Sequence, residues 1–418
     1  MSPVHAPDPH RRWLLQVAAA TSLLATGVRV ARAQVAAPEA PRLVVVLLRG
    51  ALDGLSLVVP HGEAAYRESR PTIAIAGPGE ADGVLPLDAR FGLHPAFAPM
   101  RPYFDSGRLA FVHASGSHDG TRSHFDAQDY MESGTPGVKR TADGWLNRLA
   151  GVLAGGQAAP AAQRLQVVGL GPAMPRILSG AAPIAALSTG RQATAPTAVD
   201  RPEIAQAFTR LYAGDDALSR TVREALATRR EMMDVLASDD RAADAGALPL
   251  SGLAADMARL GTLMARDARV RLAFVPVGGW DTHANQGAGR GALANRFALL
   301  AQGLDELARA LGEQIGATTI LVLSEFGRTV RQNGTGGTDH GHGNVAMVLG
   351  GGVRGGRVFG RWPGLDAAAL HEGRDLAITT DFRDIVADIL ERRFRLKDGQ
   401  LATVLPGMPA RAPVGLFG

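Results

Sequence analysis

The chain has 418 residues, 46% apolar and only 5% aromatic, with 51 glycines and a formal charge of +4. It holds no cysteine, which excludes disulfides, thiolate zinc sites and a cysteine nucleophile. Residues 1–33 carry +3 of the charge, since Arg11, Arg12, Arg29 and Arg32 stand there against Asp8; the rest holds no dense basic run, so nucleic acid is not an expected partner.

The N-terminus reads as an export signal. Arg11-Arg12-Trp13-Leu14-Leu15 opens an apolar stretch reaching Val28, and Ala31-Arg32-Ala33 fits a small-x-small cleavage site before Gln34. The arginine pair resembles a twin-arginine signal, which makes the twin-arginine export machinery an expected partner and a periplasmic or secreted location expected. The apolar stretch is short for a bilayer span, so no stable membrane span is expected after cleavage.

A long core, residues 34–418, follows. Leu43–Leu48 is a Val-rich apolar run between turn residues, the pattern of a buried parallel strand. Strands are also expected at Thr72–Ile75, Leu109–His113, Leu165–Val168 and Ile184–Leu187. Ser123–Glu132 reads as a helix. Pro202–Arg266 changes to Ala, Leu, Arg, Glu and Met at helical spacing, and reads as three helices forming an insertion at about 200–266. Strands resume at Val270–Val277, Thr318–Ser324 and Val345–Leu349, with a helix at Leu293–Leu311 and a last one at Asp381–Phe394 capped by Thr380 or Asp381. Strands alternating with helices predict an α/β fold: a mostly parallel sheet with helices on both faces.

Three expected strands end in acids: Asp53, Asp281 and Glu325. Strand ends of an open parallel sheet converge on one crevice. Asp281 and His283 are two apart, so on an extended backbone carboxylate and imidazole point the same way. Asp339-His340-Gly341-His342 adds a carboxylate and two imidazoles in a glycine-rich loop. Carboxylates with neutral imidazoles suit a divalent metal, Zn²⁺ or Mn²⁺ before others, as one or two ions. Ser123, or Thr121 beside it, is a hydroxyl at a helix start, where the positive end of the dipole suits phosphate or sulfate. Arg122 and Arg328 are candidates to hold such an anion. Asp126 and Asp129 fall in the first turns of that helix. His118 and His124 are weaker candidates, and His61, His94 and His371 read as ordinary polar contacts.

Six segments, RGALDGLS, RSHFDAQDYMESG, GGWDTHANQ, LSEFGRT, GTDHGHG and TTDFRDI, in that order between Arg42 and Leu396, resemble the bacterial DUF1501 family of unknown function. That family is grouped with the alkaline phosphatase-like metalloenzymes, beside sulfatases and cofactor-independent phosphoglycerate mutases. The resemblance implies an alkaline phosphatase-like core. It implies Asp53 as the first metal-ligating acid, Ser123 as nucleophile with Thr121 as fallback, and Asp281 and His283 in one metal site. Glu325 stands where an Asp-His pair is usual, but Phe326 follows it, so His340 or His342, beside Asp339, supplies the last imidazole. The implied function is hydrolysis of a phosphate or sulfate ester, with an anionic small molecule or polymer as substrate. The other class kept open is a non-catalytic exported binding or assembly protein with a structural metal. A formylglycine sulfatase is excluded, because its Cys/Ser-x-Pro-x-Arg string is absent.

Overall fold

The computed structural model describes residues 39–155, 165–171, 174–187, 202–216, 218–220, 222 and 252–418. Residues Ala40–Gly418 form one unit, described here by itself; the expected export signal lies outside the described residues. Among the described residues no helix is long and apolar enough to cross a membrane.

The main sheet has nine strands: β1 (Arg42–Leu48), β2 (Leu109–Gly116), β3 (Gln166–Leu170), β4 (Ile184–Leu187), β5 (Val270–Val277), β6 (Thr318–Ser324), β7 (Asn344–Gly350), β8 (Arg357–Phe359) and β9 (Thr380–Asp381). Their order is β8-β2-β7-β6-β1-β5-β3-β4, with β9 paired to the end of β2. All pairings are parallel except those of β7, which runs against both β2 and β6. The fold is therefore α/β with a mostly parallel sheet.

The strands read as continuous apolar runs because both faces are covered. Val44, Val46 and Leu48 of β1 pack on one side with Ile320 and Val322 of β6. Leu43, Val45 and Leu47 pack on the other with Leu321 and Leu323. On the first face lie α3 (Leu253–Arg266) and α4 (Ala292–Leu311); on the second lie α2 (Trp145–Leu153), α5 (Phe382–Arg392) and α6 (Asp398–Val404). The stripe Leu293, Phe297, Leu300, Leu304, Leu307 and Leu311 seats α4, and each such fully buried side chain is worth about 1.5–3 kcal/mol. α1 (His124–Ser133) follows β2 and carries part of the site. Val58–Val59, Leu85–Pro86 and Gly92–Leu93 form a second, three-stranded sheet, whose Val58 and Leu93 pack into the first-face core.

Within the expected insertion, helices are described at Pro202–Leu211 and at α3; the segment between them falls almost wholly outside the described residues. Thr72–Ile75 is not a strand. Ile73 and Ile75 are both buried, as its alternation suggests, but its backbone finds other partners. Thr72 N–H donates to the Gln332 side chain, Ile75 N–H to the Tyr66 hydroxyl, and Ile73 and Ala74 N–H to the Arg70 carbonyl. Asp381 caps α5, its side chain accepting from Arg383 N–H at 2.8 Å.

Candidate metal centre

The carboxyl ends of β1, β5 and β6 meet at one edge, where three loops interlock. Gly50 after β1 has φ +112°, and a Cβ there would lie 2.7 Å from the Asp281 nitrogen, so only glycine lets these two loops touch. The Arg328 guanidinium is buried beneath them. It donates to the carbonyls of Ala51 (2.7 Å), Gly50 (2.8 Å), Trp280 (3.2 Å) and Thr338 (3.1 Å), and to Asp281 Oδ1 at 2.5 Å. One cation thus ties together the loops that bear the acids.

Above it four side chains converge. His124 Nε2 lies 3.0 Å from His340 Nε2, and His283 Nε2 lies 3.1 Å from the same atom. Asp281 closes the group: Oδ1 is 2.9 Å from His283 Nε2 and 3.4 Å from His340 Nε2, and Oδ2 is 3.7 Å from His124 Nε2. These side chains are a quarter to a half exposed, so the centre is open to solvent.

The other nitrogen of each ring is committed. His124 Nδ1 meets Glu325 Oε1 at 2.8 Å, His283 Nδ1 meets Asp339 Oδ1 at 3.0 Å, and His340 Nδ1 meets the Arg122 carbonyl at 2.9 Å. A carbonyl or an ionised carboxylate only accepts, so each Nδ1 carries the hydrogen and each neutral ring turns a bare Nε2 lone pair inward. Lone pairs 3.0 and 3.1 Å apart beside a carboxylate repel unless positive charge sits among them. A proton on His124 relieves one contact; a divalent ion relieves all. Around a tetrahedral ion with bonds of ~2.0–2.1 Å, donors stand about 3.3 Å apart, and the donors of His124, His340 and Asp281 stand 3.0, 3.4 and 3.7 Å apart. Rings held at Nδ1 by carboxylates and a carbonyl are the usual second layer of a metal site. The donor set His124, His340 and Asp281 therefore fits a divalent cation, with His283 against its rim beside Asp281 and His340.

The electrostatics agree. Burial would raise the Glu325 carboxyl, but hydrogen bonds from His124, Gln128 (3.0 Å) and Gly50 N–H (2.7 Å) outweigh it and hold the group below the usual range. The same Glu325 bond raises His124, whereas burial lowers His340. Asp281 is held low by Arg328 against its own burial, and Asp339 by Asn333 first and His283 after it.

Of the residues singled out in the sequence, Asp281, His283 and His340 meet here, with Glu325 and Asp339 behind two of the rings. Asp53 does not join them. It is fully buried, and the Arg70 guanidinium takes both its oxygens, at 2.7 and 3.0 Å. His342 does not join either: its ring stacks on His371 with centroids 4.1 Å apart, and burial pushes its pKa down to about 4. Arg122 contributes its carbonyl, while its guanidinium pairs with Glu372 (2.6 Å) and Asp375 (2.9 Å). Ser123 is the exposed N-cap of α1, its hydroxyl accepting from Asp126 N–H at 3.4 Å, and Thr121 Oγ1 accepts from Ser123 N–H at 3.2 Å. Ser123 thus sits between the carbonyl that orients His340 and the ring of His124. Asp126 and Asp129 pair with Lys139 and Arg176, away from the rings. His94 is an ordinary buried contact, bonded to Ala288 O and Ala96 N.

His124 carries more of the site than its sequence suggests. The usable signal is its i,i+4 spacing to Gln128: both lie on one face of α1 and both reach Glu325 Oε1.

No curated protein matches the chain. Among solved structures, that of Ps i-CgsB in complex with k-i-k-neocarrahexaose aligns at 10% identity and a TM-score of 0.38, covering 87% of this chain and 74% of that one. A mutant of TAB5 alkaline phosphatase with Mg bound in the M3 site aligns at 12% identity and a TM-score of 0.29, covering 75% of this chain and 92% of that one. At these scores neither alignment carries an argument about chemistry. The family described as protein of unknown function (DUF1501) matches residues 112–406, more than half of the chain and every member of the histidine–aspartate centre, and the protein belongs to that family.

Proposed function

We propose that the chain is an exported, metal-dependent hydrolase of phosphate or sulfate esters, acting on an anionic small molecule or polymer. The observation that carries the metal is the convergence of three inward Nε2 atoms on Asp281, each ring pinned at Nδ1. The ester class follows the motif resemblance. When bound, a divalent ion, Zn²⁺ or Mn²⁺, supplies Lewis-acid polarisation and offsets charge on the transferring group. His124, His340 and Asp281 would hold it, with His283 beside them; Glu325, Asp339 and the Arg122 carbonyl fix the rings. Ser123 presents the attacking hydroxyl from the positive end of α1, with Thr121 as the alternative. Arg328 positions Asp281 and is itself buried, so it is not presented to a substrate.

One observation favours a second reading, a non-catalytic exported binding or assembly protein with a structural metal: the guanidiniums of Arg122 and Arg328 are both already engaged. The deciding experiment is metal analysis of the purified protein followed by a panel of activated phosphate and sulfate esters. Bound metal with turnover supports the hydrolase; bound metal without turnover on any ester supports the binding protein. Export by the twin-arginine route is tested by N-terminal sequencing, expected to begin at Gln34, and by replacing Arg11 and Arg12 with lysine, expected to block it.

A further inference from the structure

Two of the strand-end acids sit over buried arginines, and the two pairs differ. Asp281 gives Oδ1 to Arg328 and keeps its side chain 45% exposed, with Oδ2 turned to His124. Asp53 is closed. Its Oδ2 accepts from Arg70 (2.7 Å), Ser56 (2.8 Å) and Gln286 (2.6 Å), and its Oδ1 from Arg70 (3.0 Å). Arg70 is itself saturated: Nε donates to Val330 O, one terminal nitrogen to Asp53 and Ser56, the other to Asp53 and Thr329 O. Neither side chain is reached by water.

We infer that the crevice holds one ion per chain, and that the Arg70 guanidinium is a fixed cation standing where Asp53 would otherwise take a second. This rests on the metal-dependent reading above. An ion reaching Asp53 must displace a guanidinium with all five N–H groups committed and leave that charge without a partner in a dry site. Gln286 and Ser56 donate to the same carboxylate oxygen as one Arg70 nitrogen, and the other Arg70 nitrogen covers the second oxygen, so an ion meets Arg70 at either one. Among the described residues a single group of three such side chains has its ligand atoms all within 4.8 Å of one another, that of His124, Asp281 and His340. Arg70 reaches across to the carbonyls of Thr329 and Val330, in the segment that leads to Asp339 and His340. It therefore also fixes where the ligand-bearing loop starts.

The test is to strip the full chain with a chelator, reload it with excess Zn²⁺ or Mn²⁺, desalt, and count metal by mass spectrometry. One ion per chain is expected. The same count is expected in the double variant Asp53→Asn/Arg70→Gln, which replaces the ion pair by a neutral hydrogen-bonded one. His340→Ala is expected to bind none. Two ions in the wild-type chain, or loss of the ion in a folded double variant, overturns the one-ion inference while the metal reading stands. No ion in the wild-type chain overturns the metal reading, and the inference with it. The wild-type count decides even where the double variant does not fold.

Discussion

Glu325 and His124 are 201 residues apart in sequence, and the carboxylate of the first takes the Nδ1 hydrogen of the second at 2.8 Å. In the proposed metal site Glu325 is thereby not a ligand but the group that aims one. Glu325→Gln keeps the shape and removes the charge that makes the imidazole a strong donor. Metal affinity is expected to fall about 10–100-fold with the fold intact. His340→Ala, which removes a direct donor, is expected to abolish binding. Competition with a chromophoric chelator measures both.

Substitution separates the attack proposed for Ser123 from its capping of α1. Ser123→Ala removes the hydroxyl and the cap of α1, so turnover is lost and stability falls by about 1 kcal/mol. Ser123→Asn restores the cap and not the hydroxyl. It is expected to melt like the wild-type chain and to stay inactive. Metal content is unchanged in both. If Thr121→Ala alone is inactive, the attacking hydroxyl is that of Thr121.

The Asp53–Arg70 pair predicts acid sensitivity. Burial alone would raise the Asp53 carboxyl, but Arg70 overcomes this and holds it below the ordinary value of 3.8. A carboxyl whose folded pKa is depressed contributes stability that is complete above the unfolded value and is lost as pH falls through the folded one. Thermal melts should therefore show the wild-type chain losing stability below about pH 4 more steeply than Asp53→Asn/Arg70→Gln.

Gly327 lies against the start of β7. A Cβ there would collide with the Gly343 carbonyl. The same residue exchanges backbone hydrogen bonds with the ligand loop, from its N–H to His342 O (2.9 Å) and from Gly341 N–H to its carbonyl (2.8 Å). Gly327→Ala is expected to cost about 1–3 kcal/mol in a denaturant melt and to weaken metal binding.

Much of the fold was legible because burial on both faces leaves a plain mark: apolar runs at β1, β5 and β6, broken only by Arg271 near the start of β5. Thr72–Ile75 misled because its alternation was real. Ile73 and Ile75 do point inward, but periodicity says nothing of where the N–H groups go. In the site, Asp281 and His283 were readable together, since two-residue spacing is a local property. Asp53 was not, because Arg70 answers it from seventeen residues away and a strand-end acid looks the same paired or free. His340 and His342 share one glycine-rich loop, and their tertiary neighbours separate them: His283 and His124 for one, His371 for the other.

The reversed direction of β7 has a mechanical consequence. β6 ends at Ser324 and β7 begins at Asn344, side by side in the sheet, so the intervening chain leaves and returns at one rim as a hoop with both feet anchored. Cross-ties span it from Gly327 to His342 and from Thr329 to Asp339. Such a hoop does not swing open when emptied. An arriving ion orders almost no chain, so little of its binding energy is consumed in immobilising the protein. Amide exchange between Gly327 and Gly343 is accordingly expected to be slow before loading and to change little after it.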